Sequence, residues 1–255
     1  MYGPHVSREA FDNAEIGDVH CCQFYLNGNL MKQNPWRPLE HWDYPEDFHY
    51  YIHAPVNLNL AKSSNTGHLK VLKKILNEVE DTPGTVVIHI GTLGTVEMVA
   101  ERLNSLKIPN SLSSKTLVLE NSAGQGNHVG KNFKELRKLF EALDDKSKIG
   151  LCIDTQHSFG SGLCDFSTKK VINKFFDKLD DIAEIPVLHL NDSKVDFESH
   201  KDSHEVLGKG KIWGESTDTL KYLLKISAER ELDLICETTK FERSRKLVKK
   251  LGGFT

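Results

Sequence analysis

Eight short β-rich segments recur along this chain of 255 residues, and stretches with helical periodicity separate them. The segments are 1–6, 19–26, 50–55, 86–90, 116–120, 150–154, 186–190 and 232–237. Between them, 69–79, 132–143, 169–182 and 217–228 place apolar residues three and four apart with charge on the other positions, the pattern of helices lying on a core. Strands alternating with helices in this way build a parallel sheet, because each strand must be carried back to the same edge by its crossover. Eight such units are enough to close the sheet into a (β/α)8 TIM barrel, and the length suits one domain spanning 1–255. There is no low-complexity tract, no linker and no repeat beyond the βα unit. The run 243–250 reads as the solvated face of a last helix, with a phosphate-binding surface as the second reading. The stretch 27–49, with Asn27-Gly28, prolines and two tryptophans, is too irregular for a helix and too long for a simple βα connection, which marks it as a functional loop.

Composition narrows the setting. No run approaches the roughly 18 apolar residues that span a bilayer, and no charged-then-apolar leader opens the sequence, so an intracellular protein of cytoplasm or nucleus, neither secreted nor membrane-bound, is expected. The five cysteines show no metal-type pairing and are expected to be reduced thiols, with Cys152 facing inward as packing beside Asp154. A net charge of −3 argues against bulk coating of nucleic acid but allows a local basic groove, and bound divalent ions would themselves supply positive charge.

The chemistry is concentrated at strand ends. His53 ends YYIH, His89 ends VVIH, Glu120 ends LVLE, Asp154 ends LCID, His189 ends PVLH and Glu237 ends LICE. In a parallel barrel the C-termini of all strands open onto one face, so these six side chains converge there. One histidine or glutamate at a strand end is ordinarily a hydrogen-bonded structural residue; six together point to metal. Two further pairs follow strand ends. His157 comes one turn after Asp154, and Asp202-Ser-His204 puts two ligands on one side of an extended loop. Imidazoles and carboxylates without thiolates suit zinc or another first-row divalent ion in an open catalytic site. At about three or four protein ligands per ion, with a bridging carboxylate, nine ligands serve up to three ions, an arrangement matched to phosphodiester hydrolysis. His5, His20, His41, His49, His68, His128 and His200 fall outside this pattern and read mostly as surface or supporting residues. The glycine cluster at 124–130 has the wrong spacing for a dinucleotide site, and no P-loop, GxSxG or HExxH occurs.

These segments resemble the endonuclease IV family of abasic-site endonucleases. The resemblance rests on GPHVS at 3–7, HAPVNLNLA at 53–61, LENSAGQG at 119–126, CIDTQHSFGSG at 152–162, HLNDSK at 189–194, DSHEVLGKG at 202–210 and ICET at 235–238. It implies three zinc ions: one on His53, His89 and Glu120; a second on Glu120 as a bridge with Asp154, His189 and Glu237; a third on His157, Asp202 and His204. It also implies hydrolysis 5′ of an abasic site in double-stranded DNA by in-line attack of an activated water on phosphorus. Glu237 would orient that water, and the products would carry a 3′-hydroxyl and a 5′-deoxyribose phosphate. A monomer is expected.

Departures from the family pattern lie in the DNA-facing loops. A tyrosine common after the first ligand histidine is Val56 here, the usual HPG reads His89-Ile90-Gly91, and SLGEG reads Val206-Leu207-Gly208-Lys209-Gly210. Val56 offers a smaller wedge than a ring, and Trp36 with 32–34 in the long second loop is the expected substitute. Lys194 and Lys209, each five residues after a ligand histidine, are the expected phosphate contacts. Two other readings stand beside this one. A metal-dependent sugar isomerase or epimerase of the same barrel superfamily would need fewer ligands, and a non-catalytic DNA-damage-binding protein would not need all nine.

Overall fold

The chain is described by a computed structural model over residues 1–26, 39, 45, 47–62 and 66–252. Trp36 and 32–34 lie outside these described residues. In chain order the elements are β1 (Tyr2–Val6), α1 (Arg8–Asp12), β2 (Cys21–Tyr25), β3 (His49–His53), α2 (Thr66–Asn77), β4 (Gly84–His89), α3 (Val96–Asn104), β5 (Leu117–Glu120) and α4 (Phe133–Glu141). Then follow β6 (Ile149–Asp154), α5 (Thr155–Gly160), α6 (Lys169–Asp180), β7 (Val187–His189), β8 (Asp192–Ser193), β9 (His204–Glu205), α7 (Asp218–Glu229), β10 (Asp233–Cys236) and α8 (Phe241–Lys250). Eight parallel strands close into a barrel in the order β1-β10-β7-β6-β5-β4-β3-β2. All eight predicted segments are strands, most of them trimmed by a residue or two at the ends, where hydrogen bonding stops before the apolar run does. β8 and β9 were not anticipated; they form a separate antiparallel hairpin above the barrel mouth, and two-residue strands carry no readable period.

Two packed layers follow from strand alternation. Side chains pointing out, such as Leu117, Leu119, Leu151 and Ile153, meet the inner faces of helices through Leu72, Val99, Leu136, Phe176, Leu220 and Val248, all fully buried. Side chains pointing in form a second cluster of Cys21, Tyr51, Val87, Val118, Cys152, Val187 and Ile235. Cys152 is thus inward packing, as its spacing from Asp154 required, and all five cysteines are buried and unpaired. The 243–250 run lies in α8, which buries Ser244 and Val248 and turns its charges outward. No helix among the described residues is long and apolar enough to cross a membrane.

Candidate metal centre

The inner layer dictates where the ligands go. Successive side chains of a strand alternate faces, so the residue two positions beyond an inward one also points inward and lies one level nearer the mouth. Tyr51, Val87, Val118, Cys152, Val187 and Ile235 are therefore followed by His53, His89, Glu120, Asp154, His189 and Glu237. The predicted convergence of six strand ends is what the barrel produces. His157 joins from α5, a short helix whose N-cap is Asp154 itself: the carboxylate accepts the His157 amide hydrogen bond at 2.8 Å. Asp202 and His204 reach in from the hairpin, their Oδ1 and Nε2 atoms 3.4 Å apart.

Eight of the nine residues fall into three clusters joined by shared carboxylates, and Asp202 stands beside the last of them, against His157 and His204. Ligand atoms of His53, His89 and Glu120 lie within 4.8 Å of one another, as do those of Glu120, Asp154, His189 and Glu237, and those of Asp154, His157 and His204. Glu120 belongs to two clusters, the bridging position the resemblance implies. Asp154 also belongs to two, with its Oδ2 3.5 Å from His204 Nε2, so it shares with Asp202 the task of facing the third pair of imidazoles. Glu120 Oε2 stands 3.2 Å from His53 Nε2 and 3.3 Å from His89 Nε2, while its Oε1 is 3.2 Å from His189 Nδ1.

The remaining ring nitrogens show how each imidazole is oriented. His53 Nδ1 sits 2.6 Å from the Ala54 carbonyl and His157 Nδ1 2.9 Å from the Asn121 carbonyl, so each donates there and turns its Nε2 toward the centre. Nε2 of His157 and of His204 are buried and find no hydrogen-bond partner among the described residues. Both aim at Asp202, whose oxygens are 3.3 and 3.4 Å away. Two buried ring nitrogens left without a hydrogen-bond partner beside a carboxylate are costly, and a cation held by all three would satisfy them, so the donor set fits divalent metal. Burial and neighbouring charge describe the same demand. Burial works against ionisation of Glu120, yet the imidazoles of His89 and His189 hold it well below the usual carboxylate range. Glu237 and Asp202, opposed by burial but drawn down by histidine charge, settle at about 2. Burial pushes Asp154 up, and it pushes His89 down to about 4.

Several supporting residues escaped the sequence reading. Gln23 occupies on β2 the level that ligands occupy elsewhere: its Oε1 meets His189 Nε2 at 2.8 Å and its Nε2 donates to Glu237 Oε1 at 2.8 Å. His5, read only as a surface or supporting residue, lines the cavity, 3.1 Å from Gln23 and packed against the Tyr25 ring. Strand parity counted from Cys21 would have found Gln23, the one amide side chain in its strand. Asn191 donates to Asp154 Oδ2 at 2.7 Å and to Glu237 Oε2 at 3.1 Å, and Asn121 accepts the Asp154 amide at 2.7 Å. Each lies within two residues of a ligand, where a lone amide gives no signal of its own.

The cavity over the ligands measures about 200 Å³ and is walled by His5, Tyr25 and Val56, the last 62% exposed. Lys194 and Lys209 are exposed on the hairpin and the turn that follows it.

Residues 46–248 match the family of xylose isomerase-like TIM barrels. The chain is 31% identical over 196 residues to a probable endonuclease 4 of Methanosphaera stadtmanae, covering 73% of this chain and 69% of that one. The chain belongs to the endonuclease IV family. It is also 35% identical over 169 residues to apurinic-apyrimidinic endonuclease 1 of Plasmodium falciparum, covering 66% of this chain and 28% of that protein. It thus spans less than a third of the Plasmodium relatives' length. The solved endonuclease IV of Thermus thermophilus shares the fold, with a TM-score of 0.73 at 23% identity and 98% of both chains covered. In this member of the endonuclease IV family the nine candidate ligand residues meet at the barrel mouth, with Val56 on its rim.

Proposed function

We propose that this chain is an abasic-site endonuclease. It hydrolyses the phosphodiester 5′ of an abasic site in double-stranded DNA, leaving a 3′-hydroxyl and a 5′-deoxyribose phosphate. His53, His89, Glu120, Asp154, His157, His189, Asp202, His204 and Glu237 would hold up to three zinc ions. The observation that carries the proposal is the convergence of these nine side chains, with two unpartnered imidazole nitrogens facing Asp202, in a member of the endonuclease IV family. Bound zinc would supply Lewis acidity, lowering the pKa of coordinated water and neutralising charge on phosphate oxygens.

The protein's own residues do the rest. Glu120 and Asp154 each face two ligand clusters and fix their spacing. Glu237, tied by Gln23 and Asn191, accepts a hydrogen bond from the attacking water and holds it in line with phosphorus. Tyr25 and Val56 narrow the mouth to a space suited to a sugar without its base. Lys194 and Lys209 contact phosphates on the hairpin side.

The test is cleavage of a duplex with one abasic site by the zinc-loaded protein, with the new ends identified chemically. A 5′ incision that EDTA abolishes and zinc restores is expected, with up to three zinc ions per chain by elemental analysis. Full activity with a single tightly bound ion would overturn the three-metal centre. Conversion of simple sugars without incision would favour the isomerase reading.

A further inference from the structure

Beside the metal centre, at the same end of the barrel, a groove of about 800 Å³ runs between the loop after β4 and the loop entering α4. Leu93 stands on one rim; His128, Lys131 and Lys134 line the other. The groove adjoins the candidate ligands along the chain, since Leu93 follows His89 by four residues and the β4 loop pairs with the β5 loop through Thr92 and His128.

Leu93 is placed at a cost. It is 63% exposed, and its φ of 63° lies in the left-handed region that a leucine rarely adopts. A slack loop would relax this, but the loop is braced. Asn59 accepts from the Thr92 amide at 3.1 Å and donates to its carbonyl at 2.9 Å, and the Leu93 amide donates to the Asn127 carbonyl at 3.1 Å. Gly94 lies so close to Ala61 that a Cβ would come 1.7 Å from its carbonyl oxygen. Asn59 belongs to the loop after β3, which also carries exposed Val56, so the two apolar side chains share one tied rim. Strain held in place by its surroundings points to use.

The charge beside it is unbalanced. Glu97 is occupied by Lys138, and Glu135 turns back onto the start of α4, accepting from the Gly130 amide at 2.8 Å and from Asn132 at 3.1 Å. Lys131 and Lys134 have no ion-pair partner among the described residues, on a chain whose net charge is −3. A polyanion with an apolar edge is the complement of this groove.

We propose that the groove receives the duplex arm flanking the abasic site, with Leu93 pressed against sugars and base edges and Lys131 and Lys134 on backbone phosphates. Leu93 thereby supplies apolar contact that Val56 is too small to give. The proposal rests on the abasic-DNA reading above. Its test uses the zinc-loaded protein and a duplex whose abasic site has a non-cleavable 5′ linkage. Leu93→Asn keeps a residue that tolerates the left-handed region, so its melting temperature should hold or rise while affinity falls about fivefold, as expected for one lost apolar contact. The double substitution Lys131→Ala with Lys134→Ala should lower the salt slope of binding by roughly two units. Unchanged affinity and slope in a protein that still binds abasic duplex would overturn the groove alone. A melting temperature that falls in Leu93→Asn along with affinity would make Leu93 a packing residue and overturn its role. A parent protein that does not prefer abasic over intact duplex would overturn both this proposal and the function it rests on.

Discussion

Glu237 shows how much of the centre depends on amides rather than ligands. Its carboxylate is one residue past the end of β10, held by Gln23 on one oxygen and Asn191 on the other. Glu237→Gln keeps the shape and removes the charge, so cleavage should fall on the order of a thousandfold or more while circular dichroism stays native. Near-parent rates at full zinc loading would remove Glu237 from the reaction. Gln23→Leu deletes the partner of both Glu237 and His189 without touching a ligand. Loss of such a supporting contact commonly costs roughly 10–100-fold in metal affinity or activity, and zinc titration against a competing chelator would read it. The convergence of the candidate ligands was legible because chemistry at a strand end interrupts an apolar run. Gln23, Asn191 and Asn121 were not, because an amide that aims another side chain leaves no pattern in the sequence.

At the level of elements, the hairpin and its following turn are held by Asp192. This fully buried carboxylate accepts from the amides of Ser193 at 2.8 Å and of Gly208, Gly210 and Ile212 at 3.0 Å each, gathering the turn that displays Lys209. Asp192→Ala would strand these amides and should destabilise the protein by about 3 kcal/mol, seen in denaturant unfolding, with faster hydrogen exchange at Gly208, Gly210 and Ile212. No helical or strand period announces such a turn, which is why 191–216 read only as loop. At the opposite end of the barrel, the start of β3 meets the start of β10 where His49 Nδ1 lies 2.8 Å from Asp233 Oδ2. That hydrogen bond raises the His49 pKa above 6.5. A raised value in the folded state means the contact stabilises fully below the unfolded pKa and is lost as pH rises through the folded one. Unfolding of the parent and His49→Gln should therefore differ most near pH 6 and converge by about pH 9, since His49 is then neutral in both states. A gap that does not change with pH would show that the imidazole acts there only as neutral packing.

For the whole molecule, the balance of charge sets how it meets a polyanion. A net −3 leaves binding to local cations, so Lys194→Ala and Lys209→Ala should each weaken binding across all sequences and lower the salt slope by roughly one unit. Unchanged slopes in both would return those lysines to the solvent. Five imidazoles and four carboxylates gathered in one barrel mouth also make the fold metal-dependent in degree: stripping zinc should lower the melting temperature and reloading should restore it. The barrel was legible because eight apolar runs separated by amphipathic helices admit few other solutions. What remained hidden was the relation between loops: that Asn59 ties the β3 loop to the β4 loop is a contact across 33 residues that neither segment declares.

Asp154 ends β6, starts α5 by capping it, and belongs to two clusters of candidate metal ligands. A replacement that cannot cap, such as Asp154→Ala, would remove one candidate ligand and, by releasing the first turn of α5, loosen His157 as well. Such a variant would behave as a double variant, and its phenotype would not be recovered by restoring the charge from a different position. The route by which this barrel could drift toward other chemistry is consequently narrow at that residue and wide at the rim, where Val56 and Leu93 can change without disturbing the candidate ligands beneath them.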